Sequence, residues 1–300
     1  MEPREEKHNE QLMKLIKAMH QIVGSDDIEK NRASQEQMAK RLGTVKGMQY
    51  TEFFIDHIPA EWIRVDRRHM KKYVILYCHG GGYFTGSMQY ARVLTNKLAQ
   101  STSMDVLCFD YRLAPEFPYP AAVEDAVRVW DYLMYLGYGS RDIIVAGDSA
   151  GGNLALELGL TLKEQGRLLP RGFVLMSPWT DMTFSGKSHE KKQEIDPILS
   201  AEYMERARTA YAGTDTDFRD WHLSPLFGDF EGFSPVYIQA GDNEVLLSDS
   251  VLLNKRLIQA KVSTKIDIYK RMWHVFQMSP FKTAYDAMDR IAEFIFDICR

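Results

Sequence analysis

Cysteine is scarce in this chain, with three residues in 300: Cys78, Cys108 and Cys299. An odd number spread this far apart argues against a disulfide framework and leaves a zinc site no paired spacing to use. Small core thiols in a reducing cytoplasm are the expectation, with no metal and no organic cofactor. Long apolar runs are also missing, since none approaches the ~20 residues of a membrane span. An excess of one charge is missing too. Lys and Arg total 37, Asp and Glu 41, the net charge is −4, and the signs are interspersed. Nothing in that balance favours nucleic acid as a partner. The opening stretch, Met1-Glu2-Pro3-Arg4-Glu5-Glu6-Lys7, has no apolar core behind it and does not read as a secretory signal.

What is present is ample apolar material, 45% of the chain, enough for one large domain or two small ones. Strand-like runs fall at residues 73–78, 106–109, 143–146, 173–176, 236–239 and 266–269. Helical stretches separate them, at 90–100, 121–136, 153–165, 247–259 and 281–298. Near-continuous apolar strands alternating with helices specify an α/β fold, a mostly parallel sheet with helices on both faces. Two earlier runs, 50–54 and 62–65, are close enough to be antiparallel, which brings the sheet to eight strands.

Two segments stand outside this alternation. Leu12, Leu15, Ile16, Met19, Ile22 and Val23 form a stripe at helical spacing, with a second short helix expected at 35–42. Residues 181–226 interrupt the strand series, and an insertion of that length is usually a lid or binding element. The expected organisation is an N-terminal helical cap segment at 1–45 and a main α/β domain at 46–300 with a lid insertion at about 181–226. Packing of the N-terminal stripe on the core and capping of the main domain are compatible roles.

Gly147-Asp148-Ser149-Ala150-Gly151 is a G-x-S-x-G motif between a strand-like run and a helical one. That is the setting of a nucleophile elbow, where a crowded, strained serine needs small neighbours. His79-Gly80-Gly81-Gly82 lies upstream. Its glycines leave backbone N–H groups bare, and two of them can face a developing oxyanion. The histidine heading the motif suits anchoring that loop better than taking protons.

A serine hydroxyl needs a base. Of eight histidines, His189, His222 and His274 follow Ser149. His274 comes five residues after the last strand-like run and before the final helix, the position a base requires in a Ser–acid–His order. His222 lies inside the inserted segment. The acid belongs on the loop after run 236–239, which offers Asp242, Glu244 and Asp249. Asp249 is expected in the following helix, as a cap or on its surface. Position alone divides Asp242 and Glu244 evenly.

These residues resemble the hormone-sensitive-lipase-like branch of the α/β-hydrolases, the bacterial carboxylesterases. His79–Gly82 and Gly147–Asn153 match its two signatures. Asp110-Tyr111-Arg112-Leu113-Ala114-Pro115-Glu116 and Pro120-Ala121-Ala122-Val123-Glu124-Asp125 are similar to further family blocks. Arg112, Glu116 and Asp181 read as structural residues that pair internally. Many members carry Asp-Pro-Leu at the acid loop, where this chain has Glu244-Val245-Leu246. One subgroup uses glutamate there, which favours Glu244, with Asp242 as the alternative acid. That subgroup often has threonine where Asp148 stands.

The resemblance implies an α/β-hydrolase fold with a helical cap. It implies a serine esterase in which Ser149 is the nucleophile, His274 the base and Glu244 the acid. The amides of Gly81, Gly82 and Ala150 then form the oxyanion hole, each donor worth roughly 2.7–4 kcal/mol. Tyr83, Phe84 and the bulky inserted segment point to short acyl esters, acetyl to hexanoyl. A pH limb is expected within about one unit of the ordinary histidine value of about 6.5. A carbohydrate or small-molecule deacetylase, an amidase and a non-catalytic receptor are the alternatives. Trp179, Tyr203, Tyr211 and Trp221 would stack on sugars in the first case and fill the cap core otherwise. A small-molecule ester is the partner implied, and a homo-oligomer is compatible with the chain.

Overall fold

The structure, a computed structural model, describes residues 11, 13, 14, 28–42, 44–67 and 72–300. The stripe from Leu12 to Val23 lies outside the described residues. Eight strands form one sheet: β1 (Met48–Ile55), β2 (Ile58–Val65), β3 (Val74–Cys78), β4 (Asp105–Phe109), β5 (Ile143–Asp148), β6 (Gly172–Met176), β7 (Val236–Gly241) and β8 (Thr264–Tyr269). Their order is β1-β2-β4-β3-β5-β6-β7-β8. The β1–β2 and β2–β4 pairs are antiparallel. From β4 to β8 every pair is parallel.

Eight helices accompany the sheet among the described residues. They are α1 (Ile28–Leu42), α2 (Met88–Thr102), α3 (Ala121–Tyr135), α4 (Ala150–Glu164), α5 (Lys187–Lys191), α6 (Ala201–Ala212), α7 (Leu247–Gln259) and α8 (Lys282–Cys299). Successive strand residues point to opposite faces. Leu76, Val145, Leu175 and Ile238 therefore pack against Val129, Leu154 and Leu253 from α3, α4 and α7. Ile75, Ile144, Val174 and Tyr237 pack on the other face against Leu94, Leu98, Met288 and Ile291 from α2 and α8. Covering on both faces explains why these strands read as unbroken apolar runs. Cys78 and Cys108 are buried free thiols in this core.

The chain runs outward from β3 to β4 on one side and from β5 to β6 on the other. β3 and β5 are neighbours in register, with Cys78 opposite Gly147. The carboxyl ends of two strands whose crossovers diverge leave a crevice, the usual ligand position in an open α/β sheet. Both sequence motifs leave the sheet there.

Candidate active site

Ser149 follows β5 directly and precedes α4, with φ 54° and ψ −122°. An L-residue held there stores of order 1–3 kcal/mol. The backbone around it is tied on several sides. Its amide donates to the Met176 carbonyl at 3.0 Å, and its own carbonyl accepts from the Gly152, Asn153 and Trp179 amides at 3.0, 3.2 and 3.0 Å. Gly151 comes so near β3 that a Cβ there would collide with the carbonyl groups of Cys78 and His79. Elbow and glycine loop thus meet backbone to backbone.

In that loop Gly81 has φ 122°, and a Cβ on it would strike the Thr85 carbonyl. Its own carbonyl accepts from the Phe84 and Thr85 amides and the Thr85 hydroxyl, at 3.3, 2.9 and 2.9 Å. The amides of Gly81, Gly82 and Ala150 donate to no acceptor among the described residues. His79 Nδ1 lies 2.8 Å from the Gly80 carbonyl, and its ring stacks on Tyr111 at 4.2 Å. It anchors the loop. Asp148 contributes a tie that no motif reveals. Its buried Oδ1 accepts from the Tyr77 hydroxyl at 2.6 Å and the Gly80 amide at 3.0 Å. Burial pushes its pKa up, and these bonds oppose the shift.

Ser177, at the end of β6, joins the remaining parts. It has φ 49°. Its amide donates to the Gln239 carbonyl at 2.7 Å and its hydroxyl to Glu244 Oε2 at 2.8 Å, while the Val275 amide donates to that same hydroxyl at 3.1 Å. The Gly241 amide donates to Glu244 Oε2 at 3.1 Å. Glu244 and His274 are both buried, at 0% and 6% exposure. Glu244 Oε1 and His274 Nδ1 have no hydrogen-bond partner among the described residues. Burial raises the Glu244 pKa, with the Ser177 bond opposing it, and lowers that of His274 to about 3. The expected titration near the ordinary histidine value is therefore corrected downward.

The other candidates lie elsewhere. Asp242 Oδ1 accepts the Arg271 amide at 2.5 Å, so it braces the loop after β8. Asp249 does lie in the first turn of α7, yet it is buried rather than on the helix surface. It accepts from the Thr180 and Asp181 amides at 2.8 and 3.0 Å and pairs with His189 Nε2 at 2.7 Å. His222 pairs with Asp220 at 2.7 Å. Arg112 binds Asp125 and Glu124, as a paired turn requires. Glu116 instead reaches across to Arg32 of α1, at 2.7 Å. Asp181 is buried and accepts from the backbone and hydroxyl groups of Thr183 and Ser185.

The 181–226 stretch carries α5 and α6. A Cβ on Gly82 would meet the Phe84 ring, Ala207 and the Tyr203 hydroxyl, so α6 lies directly over the glycine loop. Tyr83 does not line that space. Its ring is fully buried and stacks on Tyr211 at 3.7 Å, and its hydroxyl donates to Asn153 Oδ1 at 2.7 Å. Trp179 and Tyr211 are buried, while Trp221 is partly exposed and stacks on His222. Among the described residues no cluster of His, Cys, Asp and Glu is arranged to hold a metal, and no helix is long and apolar enough to cross a membrane.

A strained serine on a strand-to-helix turn, packed against a glycine loop, and an eight-stranded, mostly parallel sheet define the α/β-hydrolase class. A family model described as alpha/beta hydrolase fold matches residues 75–278. An esterase of Acinetobacter venetianus is 41% identical over 223 residues, 74% of either chain. An acetyl-hydrolase of Streptomyces hygroscopicus is 34% identical over 251 residues, 83% of either chain. A solved hormone-sensitive lipase from a metagenome library superposes with TM-score 0.91 at 33% identity, covering 100% of this chain and 99% of its own. The chain belongs to the hormone-sensitive-lipase-like family of α/β-hydrolases.

Proposed function

We propose that this chain is a serine-dependent carboxylesterase that cleaves short-chain acyl esters through an acyl-enzyme. Hydrolysis of carboxylic esters follows from the family and from the esterases and acetyl-hydrolases among its relatives. The observation that carries the mechanism is the left-handed backbone of Ser149 together with the amides of Gly81, Gly82 and Ala150, which have no acceptor among the described residues. In this reading Ser149 Oγ attacks the ester carbonyl as His274 takes its proton. The three amides receive the oxyanion. His274 then protonates the leaving alkoxide, and water repeats the sequence on the acyl-serine. Glu244 Oε1 and His274 Nδ1 are both buried and both without a partner among the described residues, whereas Asp242 serves a backbone amide, which supports Glu244 over Asp242 as the orienting acid. Catalytic hydrogen bonds often tighten only when substrate is bound.

Residues 1–45 and about 181–226 are read as a cap over this catalytic domain. Its α6 supports a short-acyl preference, because Tyr203 and Ala207, with Phe84, fill the space above Gly82. The acetyl-hydrolase name of one relative agrees. A cytoplasmic setting suits three free thiols. The test is Ser149→Ala against p-nitrophenyl esters of two to twelve carbons. The variant is expected to keep its circular dichroism and lose turnover, and the parent to prefer chains of about two to six carbons. Burst kinetics surviving in the variant, or a higher kcat/KM on the twelve-carbon ester than on the butyrate, contradicts the proposal.

A further inference from the structure

Lys97 sits in the middle of α2 with only 8% of its surface exposed. An ammonium this deep ordinarily has a carboxylate beside it. Lys97 has none. Burial alone acts on it and lowers its pKa to about 8, with no charged side chain among the described residues contributing. Its partners are neutral. Nζ donates to the carbonyls of Gln277 and Ser279, at 2.6 and 2.8 Å, and lies 4.6 Å from the centre of the Tyr285 ring. Among the described residues of the elements packed on α2, namely α1, β2, β4, α8 and the turn at Phe276–Met278, the titratable side chain against it is Tyr285, through its ring face.

Those two carbonyls belong to the segment directly after His274. Val275, between the histidine and the turn, has φ 49°. A β-branched residue adopts that backbone only where its surroundings impose it. Three sets of bonds do so. The Val275 amide is held by Ser177, the Gln277 side-chain amide by Gln239 at 3.0 Å, and the two carbonyls by Lys97. The first two come from the sheet side, from Ser177 just past β6 and from Gln239 within β7. Lys97 holds the far side.

We propose that Lys97 is a positioning residue whose ammonium, bound to the Gln277 and Ser279 carbonyls, clamps the loop that carries His274 in its strained geometry. The inference rests on His274 being the base. A charged donor holds a carbonyl about twice as strongly as a neutral one. The clamp therefore weakens as pH rises through about 8, and activity acquires an alkaline limb there.

The test is kcat for p-nitrophenyl acetate between pH 6 and 10.5, corrected for uncatalysed hydrolysis. The wild type is expected to lose turnover with a limb near pH 8. Lys97→Arg keeps its charge throughout, so its limb is expected to vanish from that range. Lys97→Met is expected to lower kcat about tenfold at neutral pH with KM within about twofold, as for a misplaced group. Tyr285 is 49% exposed, so Tyr285→Leu folds whatever becomes of the lysine variants. Losing the ring favours the neutral amine, and the limb is expected about half a unit lower. A wild-type kcat flat from pH 7 to 10 overturns the proposal. So does a limb unmoved in Lys97→Arg or in Tyr285→Leu. His274→Ala separates the two levels: activity surviving there removes the base itself, whereas an inactive His274→Ala beside a flat wild-type profile removes the clamp alone.

Discussion

Around the site Ser149, Ser177 and Val275 hold left-handed backbone, with φ 54°, 49° and 49°. Each lies just past the carboxyl end of a strand or in the loop that follows one, where surrounding bonds can maintain the strain. Glu244 is buried among them with one oxygen bound by Ser177 and Gly241 and the other without a partner among the described residues. Glu244→Gln is expected to lower kcat about a thousandfold, because an amide stabilises the wrong histidine tautomer and leaves the imidazolium uncompensated. Asp242→Asn is expected to cost tenfold at most, since Asp242 serves a backbone amide. Single-turnover rates on p-nitrophenyl butyrate check this, and a reversed ranking makes Asp242 the acid. The pH profile belongs to the same scale. Burial holds His274 neutral down to about pH 3, so the base is ready well below the ordinary histidine range. The acid limb of kcat/KM is expected below about pH 5.5, and a limb at or above the free-histidine value of about 6.5 contradicts it. Ser149 was legible because its neighbours carry the motif. Ser177 was not, because its partner Glu244 is 67 residues away and only the strand order brings them together.

Elements were legible where burial is uniform. The helix at 247–259 matches α7 end for end, and strand positions differ by a few residues. The failures have physical causes. The first strand extends to Met48–Ile55, and the second starts at Ile58 rather than 62 because Glu61, fully buried, is paired with Arg92 and breaks the apolar run without breaking the strand. Helix α4 begins three residues early, at Ala150, because Gly151 and Gly152 serve close approach to β3 and to Pro178 rather than a turn. Helix α1 starts at Ile28, seven residues before position 35, in a stretch with few apolar residues, IEKNRASQEQ. What fastens it is polar. Arg32 donates to the Phe84 and Ala114 carbonyls, both at 2.8 Å, and takes Glu116 with two nitrogens, while Gln35 accepts the Gly86 amide at 2.8 Å. Phe84 and Gly86 lie just past the glycine loop, so α1 holds its outgoing limb. Arg32→Ala is expected to lower kcat about tenfold and to cost about 1–2 kcal/mol of stability. Steady-state kinetics beside thermal melts decide it: a lowered melting point with kcat unchanged makes the contact structural only.

At the scale of the whole molecule, buried titratable groups set how stability follows pH. The fold class was legible because alternation of apolar runs with helices is a property of the whole chain. These groups were not, because a glutamate inside a helical stretch looks like a solvated face until the helix is placed. Glu157 is such a case. It lies in α4 at 0% exposure, and both its oxygens and the Tyr211 hydroxyl beside it lack a hydrogen bond of acceptable geometry among the described residues. Burial drives its pKa well above the ordinary carboxylate value, and the nearby Tyr211 hydroxyl counters this only in part. The folded state therefore keeps a proton that the unfolded chain releases above about pH 4.5, and stability falls as pH rises beyond that point. His274 acts from the other side: its folded pKa is about 3. The unfolded chain takes up that proton below about pH 6.5 and the folded one does not, so stability also falls on acidification. Glu157→Gln removes the first cost while keeping the shape of the side chain. It is expected to raise Tm by about 2–4 °C at pH 8, corresponding to about 1–2 kcal/mol, with the gain shrinking toward pH 4.5 where both states hold the proton. Thermal melts of the two proteins at pH 4.5, 6 and 8 read this out. A lower Tm for the variant at pH 8 would mean that Glu157 is ionised and paired, and that its burial stabilises the fold rather than straining it.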